Sequence, residues 1–160
     1  MSLIAYCDIK ISNPDTPIQL AGCGILLVHH DDDLNESNAR TFKYGLSSNN
    51  IYCASLITMR LALSSIKPAF RKNPVALCVS KPIYDAYCLP AREDQNNGID
   101  QGWTKKCYDE MKRWMSYYDD LTVWNGLQYG GGEHSELLSE LAKQGCESQK
   151  QGDSGTIYWE

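Results

Sequence analysis

Asp8 stands near the close of an alternating stretch, Cys53 at the start of a helical one and Ser80 at the end of an apolar run, so a sheet end could bring all three together. A thiol at Cys53 or a hydroxyl at Ser80 with His134 as base would make a nucleophilic pair. No residue orients such a base, however, and a small side chain filling space is the simpler reading of both. The run His29-His30-Asp31-Asp32-Asp33 has ligand chemistry, yet neighbours on one hairpin rarely converge on a single ion, which points to a solvated loop. Gly130-Gly131-Gly132 ahead of a helix could cradle a phosphate on free amides. Glu133 and Glu136 stand where the anion would go, favouring a plain connector. Lys105, Lys106, Lys112 and Arg113 form the concentrated basic stretch, beside Trp103 and Trp114. Cations and aromatics on one helix suit a nucleic-acid backbone or base, although the Trp103, Cys107, Trp114 stripe itself reads as core packing.

The elements that would position these groups follow from periodicity. Leu3 to Ile11 alternates, with Tyr6, Asp8 and Lys10 on one face and Ala5, Cys7, Ile9 and Ile11 on the other, which predicts a strand. After the turn cluster at residues 13–17, Leu20 to His29 is a second strand whose Gly22 and Gly24 allow a bulge or a close backbone approach. An acidic connection leads to a third strand over Ala39 to Leu46. The corner Ser47-Ser48-Asn49-Asn50 can cap a helix of about four turns that buries Cys53, Leu56, Ile57, Leu63 and Ile66. Val75 to Ser80 predicts a strand covered on both faces, and Pro82 opens a short helix to Tyr87 or Leu89. Residues 91–102 read as a loop, Trp103 to Tyr118 as an amphipathic helix, Leu121 to Trp124 as a strand and Ser135 to Lys143 as a last helix. Residues 145–154 read as a mobile polar tail, ending in Thr156 to Trp159, which is apolar enough to fold back or pair with a sheet edge.

Composition sets the bounds. One domain suits 160 residues, with 42% apolar and 22% charged side chains, and no apolar run approaches a membrane span. The start of the sequence has no basic region followed by an apolar block, so an intracellular location, cytoplasmic or nuclear, is expected. Seven cysteines without a CxxC pair suit reduced, buried thiols better than a disulfide framework or a zinc knuckle. A net charge of −5 argues against tight, sequence-independent attachment to nucleic acid, though not against a local basic patch.

The order of three strands, helix, strand, two helices, strand, helix predicts an α/β fold. Its five-stranded mixed sheet, antiparallel and then parallel, has helices on both faces. That order resembles the ribonuclease H fold over roughly residues 3–145. The likeness rests on Ala5-Tyr6-Cys7-Asp8, on residues 21–26 (AGCGIL), on Ser47-Ser48-Asn49-Asn50, and on LTVWNGL followed by SELLSELA. Residues 1–145 would form the domain and 146–160 its tail.

The resemblance implies cleavage of the RNA strand of an RNA/DNA hybrid by two magnesium ions held by four carboxylates. Only Asp8 matches such an acid; Cys53, Ser80 and Ser139 occupy the other three positions. A helpful histidine of the family would fall near Leu127, whereas His134 lies farther on. The expectation is a ribonuclease H-like module that has lost its chemistry, needs no cofactor, and binds or scaffolds a protein or a nucleic acid. Asn49, Asn50, Lys105, Lys106, Lys112 and Arg113 would make the nucleic-acid contacts. The rival is an active hybrid nuclease using magnesium or manganese, with Asp85, Glu136 or Glu140 as relocated acids.

Overall fold

The computed structural model describes residues 2–12, 20–30, 36–46, 51–88, 101–126, 134–150 and 156–157. The Ser47–Asn50 corner, Asp31–Asp33, Leu127, Gly130–Gly132 and residues 91–100 lie outside them. Strands β1 (Ser2–Ser12), β2 (Leu20–His30) and β3 (Glu36–Leu46) precede α1 (Ile51–Ser65), β4 (Val75–Val79) and α2 (Lys81–Tyr87). Then come α3 (Gln101–Met115), β5 (Leu121–Asn125), α4 (Ser135–Lys150) and a two-residue β6 (Thr156–Ile157).

The sheet order is β5-β4-β1-β2-β3-β6. β1 pairs antiparallel with β2, and β2 with β3, while β4 runs parallel to both β1 and β5. The five long strands therefore form the expected mixed sheet. β1 is central and alternates as its sequence dictates. Leu3, Ala5 and Cys7 enter a core shared with α1, α2 and α3, whereas Tyr6 enters a smaller core with Leu26, Val28, Cys78 and Leu138 of α4.

α1 is buried beyond the predicted stripe. Cys53, Leu56, Ile57, Leu63 and Ile66 are covered as expected, but so are Ala54, Ser55, Thr58, Met59, Leu61 and Ala62. The helix is sandwiched between the sheet and α3, and Tyr118, just beyond α3, donates its hydroxyl to the Leu63 carbonyl at 2.6 Å. Thr58 satisfies its buried hydroxyl on the Ala54 carbonyl at 2.8 Å, a local bond that explains how a polar residue is tolerated there.

Several boundaries differ from the periodicity reading, and α3 ends at Met115 rather than Tyr118. β3 starts at Glu36 rather than Ala39, and α3 at Gln101 rather than Trp103. A short 3₁₀ turn at Pro68–Phe70 follows α1. α4 continues to Lys150, through residues read as a mobile tail, with Cys146 buried at 3% exposure. The reason is tertiary, because Gly145 rests on the backbone of Tyr44 in β3 and anchors a polar stretch that carries little helical signal of its own. Thr156–Ile157 pairs parallel with Gly45–Leu46, so the terminal segment does add to a sheet edge.

The glycines of β2 are spacing elements. A Cβ on Gly22 would lie 2.3 Å from the Cys146 nitrogen and 2.4 Å from the Ala142 oxygen, and one on Gly24 would lie 2.7 Å from the Leu138 oxygen. Helix backbone and strand backbone therefore touch, which only glycine permits. Gly22→Val is expected to lower stability by about 2–4 kcal/mol through forced separation of α4 from the sheet. Urea unfolding followed by circular dichroism would show an early midpoint, and a midpoint equal to that of the unaltered chain would contradict the contact.

Candidate functional site

Asp8 lies one residue beyond the Cys7–Val79 rung that ends the β1–β4 pairing. The Ser80 amide donates to the Cys7 carbonyl at 3.1 Å, carrying the chain past that rung and setting Ser80 beside Asp8. The Ile9 amide donates to the Asp8 carboxylate at 2.8 Å. Burial raises the Asp8 pKa above its usual value, against smaller lowering effects from the Ile9 amide and the neighbouring Ser80 hydroxyl. That hydroxyl is buried and lies close to the carboxylate without meeting hydrogen-bond geometry.

Across the sheet, Asp8 is in register with Gly24, the residue on which the Leu138 carbonyl of α4 rests. Ser139 follows Leu138 and is exposed. Thus α4 crosses the sheet at the strand position beside Asp8, with Leu138 rather than Ser139 turned onto it. His134 packs its ring on Tyr6 at 5.1 Å, on the sheet face covered by α4.

Cys53 belongs to the other face. It is fully buried in the core beneath α1, where its thiol is hydrogen-bonded with that of Cys107 on α3. This hydrogen bond and burial hold the Cys107 thiol well above its usual pKa. Burial likewise pushes Cys23 up to about 12 and Cys7 well above the ordinary thiol value. These are neutral structural thiols. With the sheet between them, Cys53 and His134 do not assemble as nucleophile and base.

The remaining acids are placed separately. Asp85 pairs with Lys81 at 2.7 Å along α2. Glu136 and Glu140 are exposed on α4, and Glu140 accepts from Gln144 at 3.2 Å. Among the described residues no group of three or more His, Cys, Asp or Glu side chains is arranged to hold a metal ion.

The basic stretch on α3 is partly compensated by its own helix. Lys105 pairs with Asp109 at 3.0 Å and Arg113 with Glu110 at 2.6 Å. Lys112 lies 5.7 Å from the Tyr87 ring and 5.9 Å from that of Tyr108, and Lys106 is exposed. Cys107 and Met111 are buried and Trp114 half-buried, so these members of the stripe pack inward as expected, while the Trp103 side chain lies outside the described residues. Periodicity did not single out Arg71, which lies against Trp114, Tyr117 and Tyr118. Its only sequence signal is a cluster of cations around a proline turn.

Sheet order, crossover pattern and helix placement together define a ribonuclease H-like fold. Solved structures agree. The RNase H1 of the halophilic archaeon Halobacterium salinarum superposes with a TM-score of 0.63 at 15% identity, over 92% of this chain and 99% of that one. The PFV RNase H domain gives 0.59 at 18% identity, over 91% and 94%. LC11-RNase H1, solved in complex with an RNA/DNA hybrid, gives 0.58 at 14% identity, over 92% and 99%. No family profile and no curated relative matches the sequence.

The raised Asp8 pKa sets the sign of a pH effect. Folding favours the protonated carboxyl, so ionisation costs stability above the folded pKa, and the cost vanishes once both states are protonated. Asp8→Asn is therefore expected to raise the melting temperature near pH 7 by roughly 2–4 °C. The gain should shrink toward zero as the pH falls to about 4. A variant less stable than the unaltered chain at neutral pH would refute the assignment.

Proposed function

We propose that this chain is a ribonuclease H-like module that binds nucleic acid without metal-dependent cleavage. One observation carries the reading: beside Asp8 stands the hydroxyl of Ser80, while Cys53 is turned to the opposite face and held by Cys107. A magnesium pair needs several carboxylate oxygens converging on one point, whereas a neutral buried thiol and two serines supply none. The residues present do not fit two hard dications. Asp85 is engaged by Lys81, and the exposed Glu136 and Glu140 are solvated; neither arrangement favours relocated acids.

Support for nucleic acid as the partner comes from the fold and from structural neighbours solved with nucleic acid, LC11-RNase H1 with an RNA/DNA hybrid among them. The net charge of −5 calls for a localised contact rather than a general one.

The test is incubation with a labelled RNA/DNA hybrid in magnesium or manganese, alongside calorimetric titration of each metal. Neither cleavage nor millimolar-strength metal binding is expected. Cleavage that disappears in Asp8→Asn would overturn the proposal. Restoring acids on the Asp8 face alone, in a Ser80→Asp/Ser139→Asp variant, is expected to create measurable magnesium binding, seen as heat absent from the parent.

A further inference from the structure

Charge is segregated along the chain: seven of its fifteen basic residues, and none of its twenty acids, fall between residues 37 and 84. Three of those cations, Lys67, Arg71 and Lys72, cluster on the connection between α1 and β4. Here the Phe70 amide donates to the Lys67 carbonyl at 3.0 Å and the Arg71 amide to Pro68 at 3.1 Å, which winds the three into one compact turn. The Arg71 carbonyl accepts from the Asp119 amide at 3.1 Å, and the Asp120 carbonyl from the Val75 amide at 2.9 Å, tying this turn to the start of β5. The corner thus lies at the sheet end where β4 and β5 begin. Asp8 is at the other end, beyond the last β1–β4 rung.

An aromatic cluster completes it. The Arg71 guanidinium lies 5.4 Å from the ring centroids of both Trp114 and Tyr117, which pack edge-on at 5.4 Å. Tyr117 is 40% exposed. Two donors here, Arg71 Nε and Trp114 Nε1, are buried and meet no acceptor among the described residues, an unusual state for groups that can only donate. Glu110 pairs with Arg113, and Asp119 and Asp120 are exposed on the same corner. No acid among the described residues pairs with Arg71, Lys67 or Lys72.

We propose that this corner is a contact site for single-stranded nucleic acid, with phosphate on Arg71 and Lys72 and a base on the face of Tyr117. It deepens, and rests on, the nucleic-acid reading above. A phosphate supplies the anion that the exposed Lys72 and the partly exposed Arg71 guanidinium lack, and a π-face supplies sequence-tolerant stacking on the exposed tyrosine. The strand is single because a duplex hides its base faces from such a platform.

The test measures fluorescence anisotropy of a labelled oligothymidylate of about 20 nucleotides, and of an RNA/DNA hybrid, at low and moderate salt. The full chain is compared with Arg71→Gln/Lys72→Gln and with Tyr117→Ala. Each variant is expected to weaken oligothymidylate binding about tenfold. The arginine–lysine variant, which removes two cations, should also flatten the slope of log affinity against log salt by about 1.4, while hybrid binding changes little. Melting curves check folding, and where Arg71→Gln melts early, Lys72→Glu/Tyr117→Ala, at two exposed positions, makes the same measurement. Unchanged oligothymidylate binding in the folded variants, or a chain that binds hybrid alone, overturns the corner and leaves the broader reading standing. A chain that binds neither probe at low salt overturns both.

Discussion

Strand β1 is hydrogen-bonded on both edges, antiparallel to β2 and parallel to β4, and this double pairing is the constraint the remaining structure obeys. It fixes which side of each residue faces α1 and which faces α4, and so assigns Cys7 to one core and Tyr6 to the other. It also forces Ser80 alongside Asp8, since the β4 backbone cannot leave the sheet without passing the Cys7 carbonyl. Because register moves in whole residues, a slip by one would invert every such assignment. The site at the sheet end inherits its geometry from this pairing rather than from the loops around it.

Much of this architecture is legible in the sequence because the relevant signals are local. The alternation of β1, the apolar run of β4 and the Pro82 start of α2 each express a physical demand that falls within a few residues. What escapes such reading depends on distant partners. The polar end of α4 becomes helical where Gly145 and Cys146 meet β3 and β2. α1 is buried on more than one side because α3 lies across it, a fact that no pattern within α1 encodes.

The candidate site was only partly legible in its geometry. Ser80 does stand beside Asp8 at the end of the β1–β4 pairing. Cys53 does not, because its thiol finds Cys107 in the opposite layer. Position along a helix sets the face a side chain occupies, and Cys53 falls on the face that meets α3. A carboxylate at Cys53 would be an unpaired charge inside a core, whereas a thiol is at ease there. The basic corner at Arg71 went unread for a related reason, since its aromatic partners come from a helix some forty residues away.

Among the described residues, the outer margin of the sheet at β3 carries β6 across Gly45–Leu46. Farther along that margin, Arg40 and Lys43 stand exposed. Cations on an unfinished strand make lateral addition of a like-charged strand from another molecule unfavourable. The sheet is thereby discouraged from propagating from one copy into the next, and solubility is defended at the place where a β-structure is most adhesive.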